Sequence, residues 1–170
     1  MTGNVGARLN DVLTETDYLT RGAGVKAGTL VTDNTGAIFM CVKASASQNI
    51  INGNVVFVDG TAGLATIMPS GPGTPAGANM NQLGIAVCSI TASASQFFFA
   101  QVFGYGNVRV TDLTASNLPN HLLVMGSTPG EVKALSGTAS LYINGLTLTA
   151  TASTATLSAC FINFPRISQA

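Results

Sequence analysis

Residues 84–110 read GIAVCSITASASQFFFAQVFGYGNVRV, and this stretch decides the fold. Of the chain's eight Phe and three Tyr, it holds Phe97, Phe98, Phe99, Phe103 and Tyr105, while Arg109 is its one charged residue. The pattern predicts a strand over Leu83–Ile90, a small polar corner at Thr91–Ser95 and a second strand over Gln96–Phe103. Successive side chains of a strand point to opposite faces. Phe97, Phe99 and Phe103 therefore share one face, and Phe98 takes the other. On this parity the first three fill the core, and Phe98 is left for the underside of a long loop at 69–81 or for a subunit contact. Apolar residues on both faces are the pattern of a strand covered on both sides. Gly104-Tyr105-Gly106 predicts a break or bulge, after which Asn107–Val110 resumes with Val108 and Val110 on one face.

Working outward, both flanks read as short apolar alternations between turn signals. Gly28–Thr32 and Ala37–Val42 form a hairpin around Asp33-Asn34-Thr35-Gly36, where Asn and Gly tolerate positive φ. Asn54–Val58 follows the turn signal Asn52-Gly53, and Leu64–Met68 returns after the turn Asp59-Gly60. Pro69–Asn81, PSGPGTPAGANMN, is a Pro/Gly loop that divides the chain into halves. Beyond the central stretch, His121–Met125 and Glu131–Leu135 flank the turn Ser127-Thr-Pro-Gly130. Ser140–Ile143 then meets Asn144-Gly145, the strongest two-residue hairpin signal, and Leu146–Ala152 returns with strict alternation. A last strand, Thr156–Phe164, ends at Pro165. The fold class expected is all-β: a β-barrel or β-sandwich of short antiparallel strands, one domain over residues 25–170.

Residues 1–24 differ in character. Arg8, Asp11, Glu15, Asp17 and Arg21 concentrate charge there. Val5, Leu9, Val12 and Leu13 give a weak helical stripe, which Arg21-Gly22-Ala23-Gly24 breaks. The segment reads as an N-terminal arm or short helix that orders against a neighbour. The candidate assembly contacts are Arg8, Leu9, Val12, Leu13, Tyr18 and Arg21 from the arm, with Phe98 and Tyr105 from the β domain.

Composition narrows the function. Only 8% of the 170 residues are charged, against about 25% in an ordinary soluble domain. Seven basic and seven acidic residues give a formal net charge of zero, and net charge near zero promotes association. A surface covered by partners in a large assembly would account for both, and a neutral surface rich in Ser, Thr and Asn is the alternative, compatible with it. Phosphate recognition needs clustered Lys and Arg, and no two basic residues are adjacent, so no nucleic-acid partner is expected. No run approaches the roughly 18 apolar residues of a membrane span. The opening MTGNVGARLNDVL lacks the apolar core of a secretory signal, so use without classical secretion is expected.

Catalytic motifs are equally scarce. Cys41, Cys88 and Cys160 are an odd, widely spaced set without a CxxC, and each sits in an apolar strand, as buried thiols do. His121 is the sole histidine, with no second ligand at metal spacing and no base-nucleophile arrangement around it. The acidic residues are scattered, and Gly104-Tyr-Gly106 is not followed by a helix start, so it is no dinucleotide loop. The expectation is a protein without enzymatic activity, cofactor or metal.

In their order along the chain, several elements resemble the small head decoration, or cement, proteins of tailed bacteriophages. These are Gly84 and Ala86 in a strand, Ser95-Gln96-Phe97 at a corner, Gln101-Val102, then Gly104 followed by Val108 and Val110. The flanks carry Gly28-Thr-Leu-Val, Phe39-Met-Cys-Val-Lys-Ala, a Gly53-x-Val-Val strand, Leu123-Val-Met-Gly-Ser-Thr-Pro-Gly130 and Ile162-Asn-Phe-Pro165. The similarity covers about residues 28–167. The family's usual Trp after the Gln-aromatic pair is missing, with Phe98 or Phe99 in its region, and the charged arm has no counterpart in the resemblance. What the resemblance implies is a capsid protein on the outer surface of the virion, assembled in the bacterial cytoplasm. It would act as a homotrimer that bridges subunits of the major capsid protein and stabilises the head. A tail- or fibre-associated module that binds the host, with Tyr105 and Tyr142 contacting glycan, is the alternative.

Overall fold

The computed structural model describes residues 9–14, 26–45, 48–59, 62–71, 82–91, 96–111, 121–135, 141–150 and 157–169. Among them the chain is all-β, with no helix. Ten strands follow in order: β1 Leu30–Thr32, β2 Ile38–Ala44, β3 Val55–Asp59, β4 Leu64–Ile67, β5 Gln82–Ala86, β6 Phe97–Arg109, β7 Leu123–Met125, β8 Val132–Ala134, β9 Leu141–Leu148 and β10 Leu157–Gln169. They join in one mixed sheet in the order β1-β2-β4-β3-β5-β6-β10-β9-β7-β8, with further pairings β2–β6 and β5–β10.

Two features depart from a set of short antiparallel strands. β6 and β10 are 13 residues each, and they pair along seven residues, from Leu157 opposite Arg109 to Asn163 opposite Phe103. β2 and β4 run parallel through Lys43–Leu64 and Ala44–Ala65. The expected hairpins β1–β2, β3–β4 and β7–β8 are antiparallel as the turn residues predict. At the first turn, Asp33 Oδ1 accepts from Thr35 N, Thr35 Oγ1 and Ala37 N, the local bonding that makes Asp a turn residue.

The Asn144-Gly145 hairpin does not form. β9 runs straight through both residues. Gly145 does hold the expected positive φ of 80°, but it sits in a ladder irregularity. Ile162 pairs with Leu146 and Arg166 with Asn144, so residues 163–165 of β10 bulge opposite Gly145 alone. Phe164 in that bulge is the one described non-glycine residue with positive φ, at 44°. Pro165 is accommodated there because a bulge relieves the ladder's need for an N–H. β10 therefore continues past the position where the alternation predicted its end.

Side chains alternate into three buried groups. Val55 and Phe57 of β3 and Leu83 and Ile85 of β5 face a core shared with Val108, Leu123, Ile143, Leu148, Cys160 and Ile162. Val56, Val58 and Ala86 face a second core with Met40, Val42, Phe98, Ala100 and Val102. The third group lies on the other side of β2 and β6, where Phe39 and Cys41 meet Phe97, Phe99 and Leu13. β3 and β5 are thus apolar on both faces because a core lies on each. The polar residue Asn54, 2% exposed, accepts from Ile51 N at 2.9 Å and donates to Gly130 O at 3.2 Å. It fastens the β7–β8 turn to the start of β3.

Candidate assembly surface

The two faces of β6 part company halfway along the strand. At its start both are covered: Phe98 is 1% exposed in the second core, and Phe97 and Phe99 pack in the third group. One residue of β6 is extra between the pairs Phe39–Gln101 and Ile38–Phe103, and such a bulge re-aims the side chains beyond it. Gly104 follows with φ of 101°, and a Cβ there would stand 3.0 Å from the Ala37 backbone. Gln101 fixes the bend from inside. Its buried amide Nε2 donates to Phe103 O at 3.2 Å and to Tyr105 O at 2.9 Å.

Past the bend the outward face becomes an open aromatic ridge. Tyr105 is 77% exposed. Its ring meets Phe161 edge-on at 5.1 Å, Phe161 meets Phe103 at 5.8 Å, and Phe103 meets Phe164 at 5.9 Å. Tyr105 and Phe161 are direct partners in the β6–β10 ladder. The strained backbone at Phe164 carries the fourth ring to the end of the row. A groove of about 430 Å³ runs beside the ridge, between Phe103, Tyr105 and Phe161 on one side and the Thr35-Gly36-Ala37 turn on the other. Among the described residues no charged side chain lines it.

Phe97 and Phe99 are buried on one face and Phe98 takes the opposite one, as parity predicts, but the placements of Phe98 and Phe103 are corrected. Phe98 is among the most deeply buried side chains, lying in the second core and not on an outer face. Phe103, assigned to the core, is half-buried on the ridge. Tyr105 stands out from the surface. Of the arm, Leu9 and Leu13 pack against the third group and Val12 against the second core. Leu13 and Phe97 exchange two backbone hydrogen bonds, of 2.9 and 2.8 Å, so residues 9–14 form a turn at 9–10 and an isolated bridge at Leu13 on their own domain, without the helix that the Leu9–Val12–Leu13 spacing offered. Arg8, Tyr18 and Arg21 lie outside the described residues, as do residues 72–81 of the Pro/Gly loop. The sequence reading missed Phe161 and Phe164 as ridge residues; the signal available was the FINFP segment, whose two aromatics fall three apart and so share a strand face only across a bulge.

The thiols are withdrawn from the surface. Cys41, Cys88 and Cys160 are free and buried. Burial pushes the thiols of Cys41 and Cys88 up to about 11 and that of Cys160 up to about 12. For Cys88 a hydrogen bond to the Phe99 backbone pulls the other way and the Asp11 charge adds to the rise. His121 is exposed ahead of β7. No group of three or more His, Cys, Asp or Glu gathers among the described residues, and no helix among them is long and apolar enough to cross a membrane. No protein-family model matches the sequence, and no curated protein matches it.

Proposed function

We propose that this chain is a capsid decoration protein of a tailed phage, a structural subunit that binds the outside of the head and stabilises it by bridging major capsid protein subunits. The observation that carries the reading is the ridge Tyr105–Phe161–Phe103–Phe164. It is a row of rings held in place by two 13-residue strands and flanked by a groove that no described charged residue lines. Aromatic residues are enriched, and charged residues depleted, at the centres of protein interfaces. Two-χ side chains on a rigid sheet lose little conformational freedom on docking. The overall charge of zero adds no repulsion against copies of the same chain, which favours self-association as a homotrimer on the shell. On this reading the sheet, tied across itself by β2–β6 and β5–β10, closes as a β-barrel or sandwich, and the remainder of the 1–24 arm reaches a neighbour.

The deciding experiment is quantitative mass spectrometry of purified virions, paired with co-sedimentation of the protein with shells that lack it. A copy number matching a surface lattice and saturable binding are expected. A handful of copies per particle would reject decoration. It would favour the second reading, a tail- or fibre-associated module contacting the host, which draws its support from the exposure of Tyr105.

A further inference from the structure

We propose that Asn144 is a site of spontaneous covalent modification, at which its side-chain amide is converted to a carboxylate facing Arg166. The chain has two Asn-Gly pairs, Asn52-Gly53 and Asn144-Gly145. In such a pair the glycine has no Cβ to shield its backbone nitrogen. That nitrogen attacks the asparagine side-chain carbonyl carbon. A new C–N bond closes a five-membered succinimide, the bond to the side-chain amide breaks, and ammonia leaves with the proton from the glycine nitrogen. Water then opens the ring at either carbonyl, giving aspartate or isoaspartate. Water is the sole co-reactant, and nothing is oxidised or reduced.

The two pairs differ in how firmly their backbone is held. Gly53 is buried, and its N–H donates to Ala86 O at 2.8 Å. Around it, Asn52 N donates to Ser89 Oγ at 3.0 Å, Arg109 Nε donates to Asn52 O at 3.0 Å and Arg109 N donates to Gly53 O at 2.8 Å. Cyclisation there requires the whole knot to open. Asn144 is exposed, and the β9–β10 register assigns Gly145 no partner residue. It faces the 163–165 bulge, where Phe164 holds a φ of 44° and the ladder is already interrupted. A polar recess of about 330 Å³, lined by Asn144, Asn163 and Arg166, admits water to this point. Local opening is easiest where ladder bonds are fewest.

The product has an immediate partner. Asn144 and Arg166 are direct cross-strand neighbours, whose Cβ atoms lie about 5 Å apart in such a pair. A carboxylate at 144 would face the Arg166 guanidinium, and the formal charge of the chain would move from zero to minus one.

The test is to age the folded full-length protein in mildly alkaline buffer and follow both Asn-Gly peptides by mass spectrometry and isoaspartyl-methyltransferase labelling. A parallel sample is aged in urea. In urea the two sites should convert at similar rates. In the folded protein Asn144 should convert at least fivefold faster than Asn52, the factor that one ordinary net hydrogen bond at Gly53 supplies. Equal folded rates, faster conversion at Asn52, or conversion at Asn144 that appears only in urea would each overturn the proposal.

Discussion

The side-chain amide of Gln101 donates to the carbonyl oxygen of Tyr105, four residues along the same strand, at 2.9 Å. A buried side chain thereby holds the backbone that presents the most exposed ring among the described residues. Gly106 is part of the arrangement, since a Cβ there would press on Gln101 Oε1 at 2.5 Å. Replacing Gln101 with Leu removes the donor from two carbonyls, and the loss of a buried partner costs about 1–3 kcal/mol. The expected result is a destabilisation of about 2 kcal/mol by urea unfolding, on the scale of that cost. An unchanged midpoint would show that the bend holds without the amide.

Tyr105 should separate binding from folding. Tyr105→Ser removes an exposed ring and one edge-on contact with Phe161, a pair worth about 0.5–1.5 kcal/mol. Its thermal unfolding should shift little, while co-sedimentation with undecorated shells should weaken by at least about tenfold, as for a central interface aromatic. Full retention of shell binding would remove the ridge from the proposed interface.

Phe98 and Phe103 should behave in opposite ways to their strand parity. Phe98 is 1% exposed in the second core, and deletion of a buried Phe to Ala costs about 3–5 kcal/mol. Phe103 is half-buried, so its Ala variant should lose less than about 2 kcal/mol, little more than its ring contacts supply. Chemical denaturation of the two variants side by side measures the difference, and a larger loss at Phe103 would contradict the assignment of the cores.

The cysteines predict an alkaline limit. Their thiols ordinarily ionise near 9.0, and burial lifts them to about 11, 11 and 12 in the fold. The folded state therefore binds protons that the unfolded state releases above pH 9. The resulting stability is complete below the unfolded value and is lost as pH rises toward the folded ones. Unfolding midpoints should fall between pH 9 and pH 11. Native protein should resist thiol alkylation at pH 8 and react at all three sites in urea, because the thiolate is the reacting species. Rapid native labelling would show a thiol more accessible than its burial.

Short-range chemistry was legible and long-range competition was not. Asp33-Asn34-Thr35-Gly36 specified its turn because every bond of that turn lies within five residues. Asn144-Gly145 encoded a backbone angle, and Gly145 has it. Whether that angle makes a hairpin or a strand irregularity depended on β10, which arrives later in the chain and pairs across it. The parity of β6 held over Phe97–Phe99, whose side chains alternate between the third group and the second core, and failed at Phe103 for a related reason. Its extra residue is visible only against β2, some 60 positions earlier. Likewise the stripe Leu9, Val12, Leu13 fits a helix in isolation, but Leu13 exchanges its backbone hydrogen bonds with Phe97. Of the ridge, Tyr105 could be picked out by its flanking glycines, while Phe161 and Phe164 depended on the pairing of β10 with β6.

The position of β10 also governs how the chain is made. It is the last of the described strands to be synthesised, yet it pairs with β5, β6 and β9 and supplies Cys160 and Ile162 to the first core. Until it emerges, one side of β6 from Phe103 to Arg109 is an unpaired strand edge, the kind that recruits strands from other molecules. Nascent chains halted before residue 157 should be substrates for chaperones and proteases. Production of the protein would then be limited by the interval between synthesis of β6 and arrival of its partner.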